Sequence, residues 1–190
     1  MKAPAPSLPI LIDCDEVLAD FVGAVLQLAR GRGITASRAD VTEWDIGKAI
    51  GWPGFASAVT YHVDAGLCGR LHEVPGAIGW LRRVECEFGA ERVFICTSPW
   101  NAAWAGQRSQ WLVDRGVPTS RQIQMAEKHL LPGHLIDDAA HHINGDPAKG
   151  RPPRPDGQGF LVAAPWNSDG GRHPRGSLED ALVWLRKVAA

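Results

Sequence analysis

Short apolar runs alternate along the chain with segments in which apolar residues recur every three or four positions. The runs have the length of buried strands, and the periodic segments have the pattern of helices that pack on a sheet. Because strands and helices alternate, the sequence predicts an α/β fold with a parallel sheet and crossover helices. The predicted strands cover residues 9–13, 92–97, 122–126, 135–137 and 159–163.

The first two predicted strands are separated by residues 14–91, which is far more chain than one crossover requires. This segment has helical periodicity of its own, clearest over 17–30 and weaker over 41–50 and 55–67. We therefore predict a small helical cap that is inserted after the first strand. The expected division is an α/β core of residues 1–16 and 75–190 and a cap subdomain of residues 17–74.

Three later helices complete the predicted core, over residues 75–88, 101–115 and 177–188. The first has Pro75 in its first turn, the second is followed by Gly116, and the third opens with SLED, which has the spacing of a capping box. These are ordinary start and stop signals of helices.

Composition excludes several classes of protein. The chain has 190 residues, 45% of them apolar, and a formal charge of −1. This length suffices for one globular core with an insertion, and the charge gives no indication of a nucleic-acid polymer or a membrane as partner. Because neither a signal peptide nor a run of eighteen apolar residues occurs, a cytoplasmic location is the default expectation. The four cysteines form no C-x-x-C pair, so we expect reduced thiols.

Two aspartates follow the first predicted strand, in the sequence LIDCDEVLADF. Residues two apart in a strand share a side, so Asp13 and Asp15 would lie about 6–7 Å apart at their Cα atoms. Two carboxylates this close repel each other, and a hard divalent cation would compensate them. Taken alone, however, the pair is better explained as helix-capping aspartates at a turn.

Polar residues at two further strand ends change that balance. Thr97 and Ser98 follow one strand, Asp137 and Asp138 end another, and Lys128 precedes the latter pair. The carboxyl ends of parallel strands meet at one edge of a sheet, where such sheets bind ligands. Each group has an ordinary explanation as a helix cap or a solvated lysine, but their coincidence at successive strand ends indicates one site.

The order of these motifs resembles that of the haloacid-dehalogenase-like (HAD) phosphatases, and within them the 5'(3')-deoxyribonucleotidases. The similarity spans most of the chain and implies a Rossmann-like, three-layer HAD core and a Mg²⁺-dependent phosphatase. The matching motifs are DCDEVLADF at 13–21, ICTSP at 95–99, Lys128 and LIDD at 135–138, with VPGA at 74–77 and PWN at 165–167.

The resemblance implies the chemistry of the carboxylates. Asp13 is the expected nucleophile, which forms an aspartyl-phosphate. Asp15 is the expected acid that protonates the leaving oxygen and then activates water, a role that needs a raised pKa. Mg²⁺ would be bound by Asp13, by the backbone carbonyl of Asp15, and by Asp137 or Asp138.

The resemblance also implies the residues that hold the substrate. Thr97 and the Ser98 backbone would bind the phosphoryl oxygens, and Lys128 would neutralise their charge. The cap would form the pocket of the nucleobase, with Phe21 and, in TEWDIG, Trp44 and Ile46 as lining residues. Trp52 and Phe55 are as well explained by the core of the cap as by this pocket.

Four residues and one loop depart from the family pattern or invite another interpretation. Glu16 stands where the family often has glycine, and Asn101, a candidate substrate-binding residue, stands where some relatives carry a phosphate-contacting lysine. His141 and His142 suggest zinc, but adjacent histidines point apart on a helix, so we expect a surface pair. The basic loop 149–154 is expected to be solvated.

Three hypotheses for function follow. The first is a Mg²⁺-dependent 5'-nucleotidase of (deoxy)ribonucleoside monophosphates, and the second is the same chemistry on another small phosphomonoester. The third, ranked last, is a phospho-ligand-binding protein without turnover, which the intact Asp13, Asp15, Thr97 and Lys128 disfavour. Response-regulator receiver domains use a similar set of residues in a different order. Relatives in this family are commonly dimers, so the resemblance also suggests a homodimer as a partner state.

Overall fold

A computed structural model describes residues 7–169 and 171–189. The strands are β1 (Ile10–Asp13), β2 (Val93–Thr97), β3 (Gln122–Gln124), β4 (His134–Asp137), β5 (Gly159–Val162) and β6 (Arg175–Gly176). Within the described ranges they form one sheet in the order β3–β2–β1–β4–β5–β6, and each neighbouring pair is parallel. The predicted α/β fold is therefore confirmed, with β1 at the centre of the sheet.

The five predicted strands occur within two residues of their expected bounds. The two-residue strand β6 was not predicted, because it has no apolar run. The helices are α1 (Phe21–Arg30), α2 (Ile46–Ala49), α3 (Phe55–Asp64), α4 (Ala77–Phe88), α5 (Ala102–Val113), α6 (Ala140–Ile143) and α7 (Leu178–Val188). The predicted capping box at the start of α7 is present, between Ser177 and Asp180.

Apolar side chains cover both faces of the sheet. Ile10 and Ile12 of β1 belong to a large buried cluster that includes Leu81 of α4 and Leu182 of α7. Leu11, which points to the opposite face, packs in a smaller cluster with Ile143 of α6. This arrangement is the three-layer order expected for a doubly wound sheet.

Helix α1 begins at Phe21, four residues later than the predicted start at 17. The intervening residues form a tight turn in which the amides of Leu18 and Ala19 both donate to the Cys14 carbonyl. Asp20 then caps α1 by accepting a hydrogen bond from the Gly23 amide at 2.9 Å. The apolar periodicity of the helix continues through this turn, so the periodicity did not indicate that the helix begins only at Phe21.

The segment 17–74 leaves the sheet and returns to it at neighbouring points. The Asp20 amide donates to the His72 carbonyl, and the Val74 amide donates to the Leu18 carbonyl. The segment holds α1, α2 and α3, and its residues Trp52, Val59 and Val63 join the large cluster of the sheet. Its helices therefore pack directly on the core.

The four cysteines are free thiols, as expected, and of these only Cys86 is exposed. No described helix combines the length and the apolar character needed to cross a membrane. Residues 1–6, 170 and 190 of the predicted core lie outside the described ranges.

Candidate active site

A cavity of about 410 Å³ opens at the carboxyl ends of the central strands. Its lining combines the catalytic candidates of the sheet with side chains from the segment 17–74 and from the start of α5. Of the predicted site residues, those on the lining are Asp13, Asp15, Phe21, Trp44, Ile46, Ser98, Lys128 and Asp138. Thr97, Asn101 and Asp137 do not line it. The sheet thus brings most of the predicted set to one place.

Three buried aspartates form a cluster at the base of this cavity. Asp13, Asp137 and Asp138 each offer one carboxylate oxygen, and these oxygens lie within 4.8 Å of one another. The carboxylates of β1 and β4 meet because these two strands are direct parallel neighbours. Removing three adjacent negative charges from water is costly, so the cluster requires positive charge or protons to compensate it.

Lys128 supplies part of that compensation. Its ammonium nitrogen lies 2.6 Å from Asp13 Oδ1 and 3.0 Å from Asp137 Oδ2, and its side chain is almost fully buried. Burial lowers the pKa of Lys128, but the two carboxylates outweigh burial and raise it, so the lysine is charged. The alternative of a solvated lysine is therefore wrong.

The pKa values of the three carboxyl groups are shifted in different directions. Burial and repulsion from Asp137 raise the pKa of Asp13, although Lys128 opposes this. Burial and repulsion from Asp137 also raise the pKa of Asp138. Burial acts in the same sense on Asp137, but Lys128 and His142 outweigh it and lower its pKa. The single lysine therefore does not compensate all three carboxylates, because the pKa values of Asp13 and Asp138 remain raised.

The hydrogen bonds show which oxygens are free. Asp137 Oδ2 accepts from Lys128 and faces Nδ1 of His142 at 3.1 Å, and its Oδ1 accepts from the Ala139 amide at 2.8 Å. Asp138 Oδ2 accepts from the Trp166 indole at 2.9 Å, whereas the buried Oδ1 has no partner in the described part of the chain. A buried oxygen without a partner beside two further carboxylates fits a hard divalent cation such as Mg²⁺, and Asp138 is the better candidate for its direct ligand.

Asp13 presents one oxygen in the same way. Both the Lys128 ammonium and the Cys14 amide bind its Oδ1, the latter at 2.6 Å. Among the described residues, its Oδ2 has no hydrogen-bond partner. This division leaves one oxygen of the expected nucleophile available for a phosphorus atom or a cation.

The hydroxyls after β2 have different surroundings. Thr97 Oγ1 is buried and lacks a partner within the described ranges, so it can donate to a ligand. Ser98 Oγ already donates to the Met125 carbonyl at 3.0 Å, although Ser98 lines the cavity. The side chain of Asn101 caps α5 by accepting from the Trp104 amide at 2.8 Å, so its oxygen is engaged away from the cavity.

The Asp15 carboxylate pairs with a residue that sequence reasoning missed. Its Oδ1 accepts from the guanidinium of Arg108 on α5, and the Arg108 side chain is fully buried. Burial would lower the pKa of Arg108, but the contact with Asp15 outweighs it and raises the pKa. The available signal was a charged residue on the apolar stripe that Trp104, Trp111 and Leu112 form on this helix.

Aromatic rings form the wall of the cavity on the side of the segment 17–74. Phe21 lies 4.8 Å from Trp104 and 6.4 Å from Trp100, between ring centroids, and Phe55 contacts Trp100 at 6.2 Å. Trp100 and Trp104 were not predicted to line the site. Trp52 is buried in the core and does not line the cavity, whereas Phe55 does.

The expectation of a histidine pair on the surface is wrong for His142. This side chain is buried, lines the cavity and contacts Asp137, while His141 is half-buried and lies edge-on to Trp44 at 5.3 Å. Burial and the neighbouring His142 lower the pKa of His141 to about 4. Neither histidine belongs to the group of metal-ligating atoms found in the described residues.

The expectation of a solvated basic loop is wrong for Arg154. Its guanidinium is buried and donates to the carbonyls of Lys128, Leu131 and Gly133 at 3.1, 2.9 and 2.6 Å. These bonds attach the loop that follows α6 to the short turn that carries Lys128. Arg154 is therefore part of the support of the site.

The backbone of the turn of residues 14–19 would suit glycine at position 16. Glu16 has a φ of +63°, a conformation that glycine adopts more readily than other residues. Its side chain is held by the Val22 amide and by Arg38, which also pairs with Asp20. Burial raises the pKa of Glu16, and Arg38 opposes this rise.

Comparison with known proteins agrees with this geometry. Residues 7–167 match the protein family described as 5' nucleotidase, deoxy (pyrimidine), cytosolic type C protein. No characterised protein in the curated set matches the chain significantly.

Among solved structures, the chain is similar to YfnB of Bacillus subtilis, a HAD-hydrolase that was crystallised bound to magnesium. The identity is 14%, the TM-score is 0.50, and the match covers 95% of this chain and 99% of YfnB. A phosphonoacetaldehyde hydrolase-like protein from Oleispira antarctica has 12% identity over 86% of this chain and 75% of its own, with a TM-score of 0.47. The first similarity supports the HAD fold, and the second is too weak to add to it.

The family match extends over the turn that carries Asp13 and Asp15, over the strand ends of β2 and β4, and over the segment between them. The chain therefore belongs to the 5' nucleotidase, deoxy (pyrimidine), cytosolic type C family and is a phosphoric monoester hydrolase.

Proposed function

We propose that this protein is a Mg²⁺-dependent 5'-nucleotidase that hydrolyses (deoxy)ribonucleoside monophosphates through an aspartyl-phosphate. The observation that carries the proposal is one cavity with two unlike ends. Asp13, Lys128 and Asp138 lie at its base, and aromatic rings line its wall. The base suits a phosphate with a cation, and the wall suits a flat heterocycle.

Phosphoryl transfer would begin at the free Oδ2 of Asp13. As this oxygen bonds to phosphorus, the bond from phosphorus to the ester oxygen breaks, and Asp15 gives a proton to the departing alcohol. Lys128 and the Thr97 hydroxyl would hold the phosphoryl oxygens as charge moves onto them. In the second step water attacks the phosphorus of the aspartyl-phosphate while Asp15 accepts a proton from that water. The bond from phosphorus to the Asp13 oxygen breaks, which releases inorganic phosphate and restores the Asp13 carboxylate.

Asp13, Asp138 and the backbone of Asp15 are the proposed ligands of Mg²⁺, with Asp137 beside them. When bound, Mg²⁺ supplies positive charge that neutralises the carboxylates and polarises the phosphoryl group. The magnesium bound to YfnB, which shares the fold, fits this choice of ion. The unpartnered Asp138 Oδ1 supports the position of the site.

The segment 17–74 would act as a cap that selects the substrate. It contributes Phe21, Trp44, Ile46 and Phe55 to the wall of the cavity, opposite the strand ends of the core. A nucleobase that stacks among these rings would leave its phosphate at Asp13. If the segment 17–74 is the cap subdomain, residues 1–16 and 75–190 are the catalytic core, and we propose this division of the chain.

Phosphate release from a panel of monophosphates tests the proposal. Wild type and Asp13→Asn would be compared with Mg²⁺ on deoxyribonucleotides, ribonucleotides and sugar phosphates. We expect turnover of nucleoside monophosphates by wild type and its loss, by about 10³-fold or more, in Asp13→Asn. A preference for sugar phosphates would contradict the assignment as a nucleotidase and favour another phosphomonoesterase. An absence of turnover on every ester would overturn the proposal that the protein is an enzyme.

A further inference from the structure

Arg108 is the most deeply buried charged group outside the set assigned to the reaction. Its side chain has no exposed surface and does not line the cavity, but it pairs with Asp15, which does line it and whose side chain is 22% exposed. Removing a guanidinium from water is costly unless hydrogen bonds and an opposite charge repay it. Asp15 is the one carboxylate that pairs with Arg108 within the described ranges.

The guanidinium is fixed on both sides. Arg108 extends from α5, and its Nη1 donates to the Cys68 carbonyl at 3.2 Å, while its Nη2 donates to Asp15 Oδ1. Helix α5 is itself attached to the same returning segment, because the Trp111 indole donates to the Leu71 carbonyl at 2.8 Å. The position of the Asp15 carboxylate is therefore determined by helix α5 as well as by its own turn.

The contact uses only one oxygen of Asp15. Arg108 binds Oδ1, and no described residue forms a hydrogen bond with Oδ2, although Asp15 lines the cavity. A carboxyl group held by one oxygen keeps the other at a constant place, which is the requirement for proton transfer to a bound ester oxygen. We propose that Arg108 is a positioning residue that orients Asp15 for proton transfer to the leaving alcohol.

This inference rests on the proposed phosphatase function and adds a residue to it. In the first step the P–O bond to Asp13 forms, the P–O bond to the alcohol breaks, and the proton of Asp15 passes to the alcohol oxygen. Asp15 is then a carboxylate that remains paired with Arg108 and can take a proton from water in the second step. Arg108 itself gains and loses no proton.

The leaving group distinguishes this role from a structural one. An alkyl phosphate, such as a nucleoside 5'-monophosphate, releases a basic alkoxide that needs a proton as it departs. The leaving group of p-nitrophenyl phosphate is a stable anion that needs none. Since kcat/KM includes only the steps up to departure of the alcohol, loss of an oriented acid should lower it for the first ester and spare the second.

The experiment compares Arg108→Met, Arg108→Lys and Gln107→Met with both esters, in the presence of Mg²⁺. Gln107 is the matched control, because it binds the Cys68 amide at 2.9 Å and the Val63 carbonyl at 2.6 Å but does not touch Asp15. For Arg108→Met we expect kcat/KM to fall about 10- to 100-fold with the nucleotide and less than about twofold with p-nitrophenyl phosphate.

Arg108→Lys should recover part of the loss on the nucleotide, and Gln107→Met should affect both esters equally. Arg108→Lys also decides the question if Arg108→Met does not fold, because it keeps a buried cation and should show the same dependence on the leaving group. An equal loss on both esters in the Arg108 variants, or the same selective loss in Gln107→Met, would overturn the inference. If wild type hydrolyses neither ester, it is the proposed function that fails.

Discussion

The ammonium group of Lys128 lies 2.6 Å from the Asp13 carboxylate, on the oxygen that also accepts the Cys14 amide. The lysine thus neutralises the expected nucleophile from the side that is turned away from the free oxygen. It does the same for Asp137, at 3.0 Å, so one cation serves two buried carboxylates.

Lys128→Met should therefore affect both stability and turnover. It leaves the buried Asp13 without its counter-charge and Asp137 with only His142 beside it, which should lower the free energy of unfolding by about 3–5 kcal/mol. It also removes a donor to the phosphoryl oxygens, so kcat/KM should fall by about 10²-fold or more. Urea unfolding and phosphate release measure the two effects. Lys149→Met, at a largely exposed lysine, is the control, and similar values for both variants would contradict the assignment.

Asp138→Asn should have opposite effects with and without Mg²⁺. In EDTA it removes one of three crowded charges, so we expect stability to increase by about 1 kcal/mol, or about 2–4 °C in Tm. With Mg²⁺ it removes the best candidate ligand, so the rise in Tm that Mg²⁺ causes in wild type should shrink and the Mg²⁺ concentration for half-maximal activity should increase.

Thermal unfolding over a Mg²⁺ titration checks this prediction. Asp156→Asn is a suitable control, because that side chain is 90% exposed and pairs with Arg172, which is not part of the aspartate cluster. A wild-type response to Mg²⁺ in Asp138→Asn would show that the cation, if bound, uses other ligands.

Trp44→Ala should weaken the binding of nucleotides without unfolding the protein, because Trp44 is 54% exposed and lines the cavity. Stacking of a base on an aromatic ring contributes about 1–3 kcal/mol, so KM for a nucleoside monophosphate should rise about 5- to 150-fold. Inhibition by inorganic phosphate, which has no base, should be unchanged. Tyr61→Ala changes an exposed ring that does not line the cavity and should leave KM at its wild-type value. An unchanged KM in Trp44→Ala would exclude stacking on Trp44.

Glu16→Gly should be more stable than Glu16→Ala, by about 1 kcal/mol. Both variants lose the contacts to Val22 and Arg38, but only glycine relieves the backbone at a φ of +63°. The reverse order is expected at Gln27, an exposed position within α1, because glycine weakens a regular helix. Denaturant unfolding of the four variants gives both differences. Equal stability of the two Glu16 variants would mean that the turn relaxes.

The fold could be predicted from the sequence because its strands are contiguous apolar runs. Four of the five longer strands contain such a run, whereas β3 has only Ile123 between two glutamines. Parallel pairing then places Asp13, Asp137 and Lys128 at one edge of the sheet. The start of α1 could not be predicted in the same way, because Val17 and Leu18 are apolar and buried in a turn as readily as in a helix. Periodicity reports burial, and it reports backbone conformation only indirectly.

The candidate site was predictable where its chemistry lies in local motifs, and not where charges are matched across the fold. Two buried arginines bind residues that are distant in the sequence: Arg108 binds Asp15, and Arg154 binds Gly133. The buried His142 contacts Asp137, five positions before it. A polar residue on its own is most often exposed, so nothing local indicates such burial. These groups become intelligible only when their partners are known.

The sequence by itself determined the alternation of strands and helices, the strand ends that carry carboxylates, and the family to which the chain belongs. Apolar runs and short motifs are local, so they can be read without a structure. Only the tertiary structure decided that Asp138 keeps an oxygen with no partner among the described residues, that Lys128 neutralises Asp13 and Asp137 together, and that Arg108 holds Asp15. The physical reason is that the energy of a buried charge depends on the other charges and hydrogen bonds around it, and these come from separate segments of the chain.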